Sequence, residues 1–305
     1  MPHPAAAGFR GPATAHQAKI EEKPEVRKAG GVFYTPVYIV DYIVKSTVGK
    51  LLEGKKPGSR GGVSQLRILD PACGSGSFLI GAYQYLLDWH RDEYVKEPEK
   101  WARGKNPSIY QSQKGEWHLT TDERKRILLN NIYGVDVDDQ AVQITRLSLL
   151  LKVLEGEDEQ SIGKQLKMFQ ERVLPDLSKN IKCGNSLIGP DYYSGGQLSM
   201  FDDEAVYRIN AFDWETEFDD IISRGGFDAV IGNPPYVRQE GLSAFKPYFQ
   251  KNYSVYNGVA DLYVYFIEKG FSLLKEKGLF SYIVANKWLR ANYGKSLRVV
   301  GQFEN

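Results

Sequence analysis

The sequence predicts a doubly wound α/β fold, with a mostly parallel sheet covered by helices on both faces. Two observations carry this. Short apolar runs alternate with segments of helical period along most of the 305 residues, and each run is continuous rather than alternating, as strands buried on both faces require. The residues of unusual chemistry, Asp70 to Ser77, Asp136, Asn185 and Asn233 to Tyr236, all stand at the carboxyl ends of those runs, where ligands bind in such sheets.

The elements follow in order. Residues 1–30 have little to bury and many breakers, so they read as a flexible tail, and the domain is expected to occupy residues 31–305. Thr35-Pro36 is a helix start, with Thr35 as N-cap and Pro36 at the first helical position. The following VYIVDYIVKSTVGKLLE has helical apolar spacing, and GKKPGSRGG is a loop. Leu66 to Leu69 form the first strand, ending in Asp70, and PACGSGS leads into the helical FLIGAYQYLLDWH. Residues 91–119 read as a polar insertion, and Thr120 to Glu123 as a capping box opening a short helix. Asn131 to Asp136 is the second strand, followed by the helix DQAVQITRLSLLLKVL. Asn180 to Gly189 is a weaker third strand and loop, and residues 190–226 a second insertion. FDAVIG is the fourth strand, DLYVYFIEKGFSLLKEKG a helix with Gly278 as its C-cap, and LFSYIVA the fifth strand.

A hydrophobic content of 42%, a charged content of 25% and a net charge of +1 suit an ordinary globular domain and single out no class of partner. A nucleic-acid surface would have to come from local clustering of basic residues. The two cysteines, Cys73 and Cys183, and four scattered histidines give neither a disulfide framework nor metal-ligand spacing. No metal is expected, and a reducing, cytoplasmic compartment fits. Neither a signal peptide nor a membrane-spanning run is expected.

Asp70-Pro-Ala-Cys-Gly-Ser-Gly-Ser is a glycine-rich turn between strand and helix. Gly74 and Gly76 would let a ligand approach the backbone, and the helix start offers free N–H groups; a plain tight turn is the other reading. It is not a complete dinucleotide fingerprint, because Leu79 stands where the third glycine would be, nor a phosphate loop, because no Gly-Lys-Ser/Thr follows. Asp136 can accept both hydroxyls of a ribose or serve the next helix as an N-terminal charge or cap. Asp138 is the better cap, which frees Asp136 for a ligand.

Asn233-Pro234-Pro235-Tyr236 follows the fourth strand. The prolines fix φ, remove two donors and push the residues before them into extended conformations. The Asn233 side-chain oxygen and the Pro234 carbonyl become two fixed acceptors beside the flat Tyr236 ring. Such a set suits a planar group bearing NH2, of which the adenine amino group is one. Accepting both its protons shifts a conjugated, poorly nucleophilic nitrogen toward an attacking geometry, and positioning supplies up to roughly 7–11 kcal/mol.

Together these motifs resemble the N6-adenine DNA methyltransferases. The order GVFYTP (31–36), DPACGSGSF, GVDVD (134–138), GNSLI (184–188) and NPPY is similar to their gamma group, most of all to the methylase part of type IIG restriction–modification enzymes and related phage-defence methylases. The resemblance implies a Rossmann-like class I methyltransferase fold, S-adenosylmethionine as cofactor and double-stranded DNA as partner. Methyl would pass to N6 of a flipped adenine, in a restriction–modification or phage-defence system. Tyr34, Thr35 and Pro36 would contact the methionine end of the cofactor, and Asp70, Ala72, Gly74 and Gly76 would surround its amino acid moiety. Asp136 would take its ribose, and Asn185, where the family often has Asp, would face its adenine. Asn233, Pro234 and Tyr236 match the clamp on the target base. Flipping costs a few kcal/mol, of which stacking on Tyr236 would return about 1–3 kcal/mol.

Arg238, Lys287 and Arg290 are candidate phosphate contacts, with Lys246, Lys251 and Arg298 nearby in sequence. The chain stops at Asn305, soon after YGKSLR, where the family continues; its last strands, a second aromatic and a target-recognition domain are not visible, and recognition is expected from a C-terminal or separate domain. Glu21-Glu22-Lys23 imitates half of a nuclease motif without its aspartate, so cleavage is not expected. Two alternatives stay open: methylation of a glutamine amide in a protein, and a truncated module that binds the cofactor without activity.

Overall fold

The first strand in sequence, β1 (Ile68–Asp70), lies in the middle of the sheet. β2 (Ile132–Asp136) and β3 (Ile181–Cys183) add on one side, β4 (Phe227–Gly232) and β5 (Leu274–Tyr282) on the other, giving the order β3-β2-β1-β4-β5 with every pairing parallel. The direction of winding therefore reverses between β1 and β4. Doubly wound sheets take ligands in the crevice at that switch point, outside the carboxyl ends of the strands. The expected fold class is the observed one. The computed structural model describes residues 35–58, 62–155, 174–194 and 209–290, all within one compact unit, Tyr34–Asn305. The expected tail and the Tyr34 position lie outside the described residues.

Strand alternation sorts the core. Ile68, Ile132, Ile181, Ala229 and Ile231 face one layer, with α1 (Val37–Val44), α2 (Ser77–Val95), α3 (Thr121–Asn131) and α4 (Asp139–Leu154). Leu69, Tyr133, Val135 and Val230 face the other, where Phe212, Trp214, Phe218 and Ile221 form an aromatic cover. Burying each such side chain stabilises by about 1.5–3 kcal/mol, so neither face can be left open. A third cluster joins α5 (Lys246–Asn252) and α6 (Leu262–Ser272) to Leu187 and Ile188 after β3, with Phe249 stacked on Tyr265. Among the described residues no helix is long and apolar enough to cross a membrane.

Three local expectations are corrected. Pro36, not Thr35, is the N-cap of α1, with ψ 139°, and no side chain caps that helix. The capping box at Thr120 closes on one side only. Thr120 Oγ1 accepts from the Glu123 N–H, while the Glu123 carboxylate, 7% exposed, accepts from Tyr94 Oη at 2.5 Å and from Arg126. The buried Tyr94 at the end of α2 outcompetes the Thr120 amide, which donates instead to the Ser108 carbonyl. Helix α6 ends at Ser272 rather than near Gly278. The Leu273 carbonyl accepts from Phe227 N, Leu274 pairs with Phe227, and Lys277 takes the positive φ of 65° in the bulge that follows.

The two stretches read as insertions carry core residues. Within 91–119, α2 continues to Val95, and a hairpin (Ile109–Gln111 with Trp117–Leu119) buries Ile109 and Leu119 against the first layer. Within 190–226, the described residues include the cover itself, with Trp214 and Ile221 on two short helical turns, Trp214–Glu217 and Asp219–Ile222, Phe218 between them and Phe212 just before.

Candidate active site

The glycine turn after β1 is tied down from three sides. Asp70, 1% exposed, accepts from the Ala72 N–H at 3.0 Å. On its other side it abuts Gly232 at the end of β4, where a Cβ would stand 2.6 Å from Asp70 Oδ1. Gly232 is thus the residue that lets the two switch-point strands close around a carboxyl group. Burial, opposed by the Ala72 hydrogen bond and aided by the nearby Asp136 charge, pushes the Asp70 pKa up to about 8. Asp70 therefore braces the turn from behind instead of presenting itself on its surface.

Asp136, at the carboxyl end of β2, accepts from Gly74 N at 2.8 Å and from Asp138 N at 3.0 Å. The Val137 N–H also bears on this carboxylate, which still leaves acceptor capacity for a ligand. Asp138 caps α4 by accepting from Gln140 N at 2.9 Å, as expected of it. Burial raises the Asp136 pKa against its backbone hydrogen bonds.

Thr145, fully buried on the core face of α4 with Val142 and Leu149, went unnoticed in the sequence. Its Oγ1 donates to the Gly74 carbonyl at 2.7 Å, and a Cβ on Gly76 would lie 2.9 Å from both its Cγ2 and Oγ1. Gly74 and Gly76 both have left-handed backbones, with φ 52° and 84°. At Gly74 a Cβ would meet nothing within 4 Å, so the turn is open there. The available signal was a polar residue at a core position of an otherwise apolar helical face.

Asn185, half-buried after β3, accepts at Oδ1 from Leu187 N at 3.1 Å. Among the described residues its Nδ2 donates to nothing, so the amide offers donors as well as the acceptor expected of it. The neighbouring Ser186 hydroxyl donates to the Pro71 carbonyl at 2.5 Å, which draws this loop against the glycine turn.

At the end of β4, Pro234 is buried and Asn233 and Tyr236 are half-buried. Asn233 Nδ2 donates to Thr35 Oγ1 at 3.3 Å, and its Oδ1 is buried without a partner. Among the described residues no hydrogen bond ends on the Pro234 carbonyl. Tyr236 Oη donates to the Ile283 carbonyl at 3.0 Å, and Val237 O accepts from Leu262 N, so the segment is pinned to the end of β5 and the start of α6. Partial burial raises the Tyr236 pKa, keeping the phenol neutral. A buried acceptor left unpaired costs about 1–3 kcal/mol, which a donor arriving at Asn233 would recover.

Two family models match the chain. The one described as N-6 DNA Methylase covers residues 21–174, and the one described as Eco57I restriction-modification methylase covers residues 130–303. The chain belongs to the N6-adenine DNA methylase family. The type II restriction enzyme and methyltransferase RM.Eco57I of Escherichia coli is 33% identical over 272 residues, covering 88% of this chain and 24% of its own length. The adenine-specific methyltransferase PglX of Streptomyces coelicolor is 24% identical over 284 residues, covering 89% of this chain and 20% of its own. The chain thus spans about a quarter or less of these relatives. A cryoEM structure of a DrdV–DNA complex matches with a TM-score of 0.50 and 17% identity, over 90% of this chain and 22% of that one, and shares the fold.

For this family member the structure brings Thr35, Asp70, Ala72, Gly74, Gly76, Asp136, Asn185 and Asn233 to Tyr236 to one edge of the sheet, linked by the contacts above. The basic candidates divide. Arg238 and Lys287 are exposed and in no ion pair among the described residues. Lys246 is committed to the protein, donating to Gln239 Oε1 and the Gly258 carbonyl. Arg298 and the Arg290 side chain lie outside the described residues.

Proposed function

We propose that the chain transfers a methyl group from S-adenosylmethionine to N6 of an adenine flipped out of double-stranded DNA. The observation that carries this reading is the buried, unpartnered Asn233 Oδ1 beside the unengaged Pro234 carbonyl at the switch point. Family membership and the names of the relatives support it.

The residues fit the cofactor. Among the described residues Asp136 keeps acceptor capacity for a ribose hydroxyl, Asn185 Nδ2 has no acceptor, and the turn is open at Gly74. Thr35 and Pro36, at the start of α1, border the same edge. S-adenosylmethionine, when bound, supplies a methyl group on a positively charged sulfur. The chain's own work is to hold the acceptor nitrogen. Asn233 Oδ1 and Pro234 O would each accept a hydrogen bond from one amino N–H, turning the nitrogen lone pair out of conjugation; the nitrogen would shed one proton to solvent once it carries the methyl group. Tyr236, its hydroxyl anchored to Ile283, would offer its ring face to the base, and stacking returns about 1–3 kcal/mol of the flipping cost. Arg238 and Lys287 would take DNA phosphates, and sequence recognition would come from a separate or C-terminal domain. In this reading the system is one of restriction–modification or phage defence.

The test is incubation with isotope-labelled S-adenosylmethionine and unmethylated genomic DNA, then digestion and mass spectrometry. Labelled N6-methyladenine is the expected product. Label on protein glutamine, or cofactor binding without any transfer, would overturn the reading.

A further inference from the structure

The resemblance gave Thr35 to the cofactor, but its hydroxyl is engaged elsewhere. Thr35 is 6% exposed, carries no cap to α1, and receives the Asn233 Nδ2 hydrogen bond at 3.3 Å, across 198 positions of sequence. A primary amide has two chemically opposite ends. A hydroxyl can accept from Nδ2 or donate to Oδ1; here Thr35 Oγ1 accepts from Nδ2, and that orientation leaves Oδ1 as the buried acceptor, whereas the turned-over amide would offer a donor to a nitrogen whose N–H groups must themselves donate. The two prolines fix the backbone of the clamp but leave this side-chain torsion free.

We infer that Thr35 is a positioning residue for the transfer, holding the Asn233 amide with its oxygen toward the target amino group. The inference rests on the proposed reaction, and it assigns Thr35 to the base clamp instead of the cofactor. Thr35 is where the start of α1 reaches the end of β4.

Thr35→Val keeps the shape and removes the hydroxyl; Thr35→Ser keeps the hydroxyl. Single-turnover transfer at saturating cofactor and DNA should fall roughly 10- to 100-fold in Thr35→Val, a loss of positioning, and return in Thr35→Ser. Cofactor affinity should be unchanged in both, while the melting temperature should fall by only a few degrees in Thr35→Val, which leaves Asn233 Nδ2 without this partner, and hold in Thr35→Ser. A loss that disappears at saturating cofactor would make Thr35 a cofactor ligand and overturn the inference, as would an undiminished rate in Thr35→Val or no return in Thr35→Ser. The Asn233 side-chain amide signals in a 15N–1H spectrum give a readout independent of turnover. The two protons should be widely split and slow to exchange in the wild type and in Thr35→Ser, and should lose both features in Thr35→Val. If the wild type transfers no methyl to DNA, the functional reading fails, while these signals still decide whether Thr35 orients the amide.

Discussion

Gly76→Ala should damage the turn in a way that depends on Thr145. Gly76 has φ 84°, where an L-residue costs about 1–2 kcal/mol. The added methyl would also sit 2.9 Å from both branches of Thr145, a side chain with no exposure and a hydrogen bond of its own to Gly74 O. Thr145 cannot turn away without abandoning that bond, so the crowding should cost a further ~1–3 kcal/mol. The sum, about 2–5 kcal/mol, corresponds to a melting temperature lowered by roughly 4–20 °C in a domain of this size. Urea unfolding of the wild type, Gly76→Ala, Thr145→Ala and the double variant separates the two parts. Thr145→Ala makes room for the methyl, so the double variant should be more stable than the sum of the singles predicts by about 1–3 kcal/mol. Gly74→Ala, which has the positive φ but open space, should show no such coupling to Thr145 beyond the shared hydrogen bond. Additivity of Gly76→Ala and Thr145→Ala within about 0.5 kcal/mol would refute the reasoning.

Asp70→Asn should stabilise the protein at alkaline pH. The folded pKa near 8 lies above the unfolded value, so the native state holds a proton that the unfolded chain releases, and stability falls as pH rises from about 4 through 8. The difference between Asp70→Asn and wild type in melting temperature should therefore grow across that window and be smallest near pH 4. Tyr236→Phe, losing the bond to Ile283 O, should cost about 1 kcal/mol of stability by urea unfolding. Tyr236→Ala should in addition weaken binding of DNA with an extrahelical adenine by about 1–3 kcal/mol in a titration. Glu123→Ala strands Arg126 and the Tyr94 hydroxyl and should cost about 3 kcal/mol in urea, while cofactor affinity, set at the far ends of the strands, stays the same.

The sheet and the gathering of the candidate residues at one edge of it were legible because both rest on local patterns. Continuous apolar runs marked the strands, and a glycine turn, an aspartate and Asn-Pro-Pro-Tyr followed three of them. The cap at Asp138 was legible too, since capping depends on neighbours in sequence. What escaped depends on partners far along the chain. Thr35 reads locally as an N-cap, but its hydroxyl meets Asn233. Glu123 completes a capping box on paper, yet buried Tyr94 and Arg126 claim its carboxylate. Gly278 follows a helical pattern, but pairing of Leu274 with Phe227 stops the helix a turn and a half earlier. Trp214 and Phe218 were hidden in a stretch whose average polarity suggested an excursion, although two aromatics four apart could have marked a buried face.

The most direct test of the central claim is the rate of methyl transfer to adenine N6 by Asn233→Ala at saturating S-adenosylmethionine and DNA. The account predicts that cofactor affinity is unchanged and that transfer falls by at least ~100-fold, as when a group that stabilises developing charge is removed. Transfer at the wild-type rate in Asn233→Ala would contradict the claim that this amide oxygen prepares the attacking nitrogen.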